Sequence, residues 1–160
     1  MNINYTIIVG EWIITIALLF KFIPRNKFKK ATLAFLFNQV ITWLFGLLVV
    51  ELRLIKYPVR LLFTYASKTS FTFEYFVYPS ICGIFNVYYP TKKNFVGQFM
   101  YYFYYCTSMT ILEVIFEKYT DILKYIHWTW YITWITLFFT FYVTRKFYVW
   151  FFKSNINDNE

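Results

Sequence analysis

A chain of 160 residues that is 59% hydrophobic and 27% aromatic, with only 15% charged side chains, has too little polar surface to coat a soluble globule of its size. Charge in soluble domains usually stands at about 25%. The net charge of +8 arises from short basic clusters set between apolar runs, which is how membrane proteins deploy Lys and Arg, and this placement excludes nucleic acid as the partner.

Five segments are long and apolar enough to span a bilayer, at roughly 4–23, 31–52, 70–89, 94–116 and 128–150. The first lacks a basic n-region and a small-x-small cleavage site, so it reads as a retained helix rather than a signal peptide. PRNKFKK (24–30) stops that helix and supplies a basic cluster. The connection 53–69, RLIKYPVRLLFTYASKT, mixes Arg53, Lys56 and Arg60 with Leu, Phe and Tyr and is broken by Pro58; that composition suits a segment lying at the membrane interface. YPTKKN (89–94) is a tight turn, EKYTDILKYIH (117–127) is amphipathic, and SNINDNE (154–160) is a polar, disordered tail. The expected fold is therefore all-α: one integral membrane helical bundle over 1–153, with about five transmembrane helices and an interfacial segment between the second and third.

With five spans and the N-terminus outside, ten Lys and Arg fall on the cytoplasmic side (Lys21, Arg25, Lys27, Lys29, Lys30, Lys92, Lys93, Arg145, Lys146, Lys153) and six outside (Arg53, Lys56, Arg60, Lys68, Lys118, Lys124). The positive-inside bias sets that orientation, with the C-terminus cytoplasmic. Trp12, Trp128, Trp130 and Trp150 fall near the expected interfaces.

Placed on helices, the polar residues of the spans segregate. Gln98, Tyr102, Cys106, Thr110, Glu113 and Glu117 share one face of the fourth span; Thr129, Thr133, Thr136, Thr140 and Thr144 line the fifth. Glu74, Tyr78, Cys82 and Asn86 recur every four residues in the third, and Asn38, Thr42, Gly46 and Arg53 share a face of the second. The first carries a weaker stripe of Thr6, Gly10 and Ala17, with Glu11 snorkelling outward. Lipid cannot satisfy polar side chains, so these faces are expected to turn inward and hydrogen-bond across helices.

Glu74, Glu113, Glu117, Arg53 and Arg60 form the candidate intramembrane polar cluster. All five fall toward the outer side, and the expectation is that the glutamates meet the arginines as ion pairs. No nucleophile–base pair is visible, so an enzyme is not expected. Cys82, Cys106 and the lone His127 match no metal spacing or disulfide framework, and no cofactor is expected.

The stretches FTFEYFVYPSICGIFNVYYP (71–90), EVIFEKYTDILKYIHWTWY (113–131) and TRKFYVWFF (144–152), in that order, with YPVR (57–60) ahead of them, resemble a family of small uncharacterised integral membrane proteins of endospore-forming bacilli and clostridia. The resemblance covers about residues 50–153. It implies a bacterial plasma membrane or spore membrane and brings no catalytic residues. The resulting expectation is a non-enzymatic, structural or partner-binding membrane component, in contact with the bilayer and with another membrane protein or itself. The alternative is a small transporter or channel component with an outward-facing acidic vestibule, against which stands the lack of Gly/Pro breaks within the spans.

Overall fold

Helix α1 (Ile3–Phe22) opens the computed structural model of the chain, which describes residues 3–157. Pro24 ends the helix, because it holds its own φ at −69° and disfavours a helical residue before it. A single 3-10 turn at Arg25–Lys27 reverses the chain into α2 (Phe28–Glu51). Arg53, at φ 56°, takes the left-handed conformation just past the end of α2 and turns the chain away. A two-residue strand β1 (Ile55–Lys56) follows, then a loop. A π-helical segment, Phe71–Val77, leads directly into α3 (Tyr78–Val87). The Asn94 side chain accepts from the Gly97 N–H at 3.0 Å and caps α4 (Phe95–Tyr119). Strand β2 (Lys124–Tyr125) pairs antiparallel with β1, Ile55 opposite Tyr125 and Lys56 opposite Lys124, and α5 (Trp130–Asn157) closes the fold.

The molecule is thus all-α, with five helices. Two of them, α1 and the segment Arg25–Glu51 that contains α2, are long and apolar enough to cross a membrane. α4 and α5 are also long, at 25 and 28 residues, but tyrosine, tryptophan and threonine lower their hydropathy. Three expectations are corrected. The segment expected at 70–89 is divided between a π-helix and a ten-residue α-helix. The connections 53–69 and 117–127 carry the β1–β2 pair; its strands are too short to leave any periodicity in the sequence. α5 runs on through Asn157 into the expected tail, of which 158–160 lie outside the described residues.

α2 packs most extensively on α3, α5 lies against α4 and α2, and α1 rests on α3 and the π segment. Asn38 donates to Thr144 Oγ1 at 3.1 Å, joining α2 to α5 through the expected stripes. α1 uses a different face from the one expected: Asn4, Ile8 and Thr15 point inward, while Thr6 and Ala17 are exposed. The reason is Trp12, which stacks on Phe76 with centroids 4.2 Å apart and donates to Thr72 Oγ1 at 3.1 Å. A large aromatic anchor outweighs a stripe of small residues.

Contacts fix which ends coincide. Phe22 and Lys27 meet Tyr88, Lys30 lies over Phe152, and Arg145 stacks 4.1 Å over Tyr89. The basic turns at 25–30 and 90–94 and the far half of α5 therefore share one end. The other end holds the strand pair, under which Ile8, Ile55, Tyr57, Phe73, Ile122 and Leu123 form a buried cluster. A second cluster, centred on Phe85, Phe141, Cys82 and Cys106, lies between α3, α4 and α5.

Candidate functional site

Pro79 sets the local geometry of the π segment. It has no N–H to give to the Tyr75 carbonyl four residues back or to the Glu74 carbonyl five residues back, while the Tyr78 N–H reaches back to Phe73. The two freed carbonyls are met from α2: the Thr42 hydroxyl donates to the Glu74 carbonyl and Gln39 Nε2 to the Tyr75 carbonyl at 2.8 Å. The extra residue per turn rolls Glu74 toward α2, where Gly46 makes room. A Cβ on Gly46 would stand 2.7 Å from Glu74 Cγ and 2.8 Å from Thr69 Oγ1.

Glu74 and Glu113 both line a cavity of about 300 Å³ bounded by α2, the π segment with α3, α5 and the strand pair. Glu113 is buried and accepts three hydroxyl hydrogen bonds. Tyr125 and Thr133 donate to Oε1 at 2.7 and 2.8 Å, and Tyr78 donates to Oε2 at 2.6 Å. Trp128 Nε1 in turn donates to Thr133 Oγ1 at 2.7 Å. Tyr57, buried at the end of β1, donates to Glu74 Oε1 at 3.0 Å. Burial first, and then the Glu74 and Glu113 carboxylates, raise the Tyr57 hydroxyl well above the ordinary tyrosine range; burial and Glu113 do the same for Tyr125. Both therefore remain protonated donors.

The remaining walls are mainly apolar, with Val49, Ile55 and Leu137 inside. Phe45, Ile135 and Phe139 are the exposed members of the lining, so the cavity communicates with the flank of the bundle between α2 and α5. The threonine stripe contributes less polarity than its sequence promises. Thr136 and Thr140 donate to carbonyls of their own helix, Thr133 and Leu137, at 2.9 and 3.0 Å, and offer mainly methyl groups to a neighbour.

Of the five clustered residues, the structure brings Glu74 and Glu113 together at this cavity. Glu117 lies a turn beyond, where its backbone carbonyl accepts from Lys124 Nζ at 3.2 Å. Arg53 is exposed. Arg60 donates to the carbonyls of Tyr57 and Thr64 at 2.6 and 3.0 Å, holding its own loop together. Among the described residues no ion pair joins either arginine to a carboxylate; the ion pair present is Lys124–Asp121, 3.6 Å apart on the surface. Hydroxyl donors occupy the place expected of the guanidinium groups, because Tyr57, Tyr78 and Tyr125 reach the carboxylates from three separate elements and bring no competing charge. Tyr57 and Trp128 were not singled out as site residues by sequence reasoning. The signals available were the aromatic in YPVR and the tryptophan beside His127, which itself is exposed.

Glu11 also departs from expectation: its Oε2 is buried and makes no hydrogen bond. Compared with known proteins, the chain matches no family model, no curated protein and no solved structure.

Proposed function

We propose that this chain is a non-enzymatic, multi-pass membrane protein, and that its Glu74–Glu113 cavity binds a small organic cation as the site of a transporter or channel component. The observation that carries the reading is the cavity itself: two carboxylates, held by hydroxyls, facing one mostly apolar space that opens on the bundle flank, with aromatic side chains on its walls. An apolar lining suits an ammonium group with a hydrocarbon body, whereas a hydrated metal ion calls for a shell of oxygen ligands. The aromatic faces of Tyr57, Tyr78 and Trp128 add cation–π attraction. An opening on the bundle flank suits a ligand that first partitions into lipid.

Three features support the membrane reading. Residues 31–50, 95–112 and 128–144 contain no Asp, Glu, Lys or Arg. Large apolar side chains are exposed along α1, α2, α4 and α5 for their whole length, far beyond the isolated patches of soluble monomers. Finally, ten Lys and Arg gather at the 25–30 end with few acidic residues beside them, while the other six share the strand-pair end with Glu51, Glu74, Glu113, Glu117 and Asp121. The basic end is then cytoplasmic and the N-terminus outside.

A structural role for Glu113 has its own support. Three hydroxyls already engage its oxygens and tie α4 to α3, β2 and α5. Glu74, whose carboxylate accepts from Tyr57 and from no other side chain among the described residues, is the binding group. The test is calorimetric titration of the purified full-length chain with tetraethylammonium and benzyltrimethylammonium. Binding by the native chain, weakened at least about tenfold in Glu74→Gln, a loss of about 1.4 kcal/mol, is expected. Equal affinity in the variant, or no binding of either ion by the native chain, refutes the reading.

A further inference from the structure

We propose that the groove between α1 and the α2–α3 pair holds one acyl chain of an anionic phospholipid, with its headgroup at Arg25. This inference rests on the membrane reading above and is independent of the cation cavity. The groove encloses about 950 Å³ and is walled by Trp12 and Leu19 of α1, by Ile23 just past its end, and by Phe28 and Phe35 of α2, with Gly83 on its floor. It exists because α1 and α2, though joined by a single turn, lean on different parts of the third helical segment. Trp12 pins α1 to Phe76, while Gly83 lets α3 close directly onto the Ala31 backbone of α2, where an added Cβ would stand 3.3 Å from the Ala31 carbonyl.

Dimensions and charge identify the occupant. From Trp12 to the end of α1 at Phe22 the lining follows eleven residues of helix, about 16 Å, close to half of a hydrocarbon core of about 30 Å. The groove is therefore one leaflet deep, and its water end coincides with the basic end of the bundle. Arg25 lines that mouth, and Lys27, Lys29 and Lys30 follow in the same turn with no acidic residue beside them. A phosphate there meets a fixed positive charge while the chain below meets apolar walls.

The test is native mass spectrometry of the full-length chain, extracted in mild detergent and offered equal amounts of dioleoyl phosphatidylglycerol and dioleoyl phosphatidylcholine. The expected result is one retained lipid per chain, the anionic one preferred by about fivefold for each basic residue engaged. Arg25→Glu removes the preference. Thr32→Trp, placed on the half-exposed rim, removes retention of both lipids, with unfolding temperature as the control for folding. Equal retention of the two lipids by the native chain, or retention unchanged in Thr32→Trp, overturns the proposal and leaves the membrane reading standing. Recovery of the chain from the soluble fraction overturns both. A dimer whose crosslinks cover the groove overturns the lipid as its occupant.

Discussion

Replacing Glu113 by alanine removes the acceptor of three hydroxyl donors at once, those of Tyr78, Tyr125 and Thr133. Cross-helix hydrogen bonds within membranes average ~0.6 kcal/mol and reach ~1.7 kcal/mol. Three such bonds give a loss of about 2–5 kcal/mol. Glutamine should do far better. Its carbonyl oxygen accepts from Tyr125 and Thr133, and its amide donates to a Tyr78 hydroxyl turned to accept, so only the charge-assisted share is lost, about 1 kcal/mol. At about 2–4 °C per kcal/mol for a chain of this size, Glu113→Ala lowers the unfolding midpoint by roughly 10 °C and Glu113→Gln by a few degrees. Circular dichroism melts in one detergent, with the three proteins side by side, measure both. An alanine variant that melts with the native chain shows that this carboxylate ties nothing together. Equal losses for alanine and glutamine show that its charge, not its geometry, carries the stability.

Two further outcomes follow from the backbone around Glu74. Gly46→Ala places a methyl 2.7 Å from Glu74 Cγ, an overpacking that costs about 1–3 kcal/mol and displaces the carboxylate; melts and ammonium titration should both register it, and a variant unchanged in both refutes the close fit. Pro79→Ala restores an N–H that competes with Gln39 and Thr42 for the Tyr75 and Glu74 carbonyls; stability is expected to hold or rise while ammonium affinity falls, and unaltered affinity argues against a role for the π segment in placing Glu74.

Much of the helical framework is legible in the sequence because a long apolar helix between charged turns has a simple signature. The inward faces of α2, α4 and α5 are legible for a similar reason, and Asn38–Thr144 joins two stripes that periodicity alone marks out. Two things are hidden. The β1–β2 pair joins residues seventy positions apart through two-residue strands, and no local pattern encodes such a contact. Glutamate partners are hidden as well. Charge arithmetic points to Arg53 and Arg60, but whether a guanidinium or a phenol reaches a carboxylate depends on where the 53–69 loop folds. That loop brings Tyr57 inward and leaves Arg60 to its own carbonyls. The break in the third span is legible in hindsight: Pro79 stands at the midpoint of 70–89, and the lack of such a break was the argument against a transporter-like site.

Two local exceptions to helix rules, at Gly46 and Pro79, act on one side chain. Gly46 and Pro79 each weaken the helix they occupy: Gly46 removes packing surface from α2, and Pro79 removes a backbone donor from the third segment. Neither needs to be there for a bundle of this length to fold. Both act on Glu74, Gly46 by giving its side chain room and Pro79 by winding its backbone into a π turn whose carbonyls α2 must then cap. Sequences that break local rules at a single point tend to do so where function demands it. The choice of partner points the same way. An arginine against Glu74 could engage both carboxyl oxygens at once, whereas the Tyr57 hydroxyl donates to Oε1 and orients the group. Structural economy alone would favour the arginine, two of which lie in the adjoining connection. That the chain folds them elsewhere and sets a phenol on the carboxylate is what a site kept open for a cation requires.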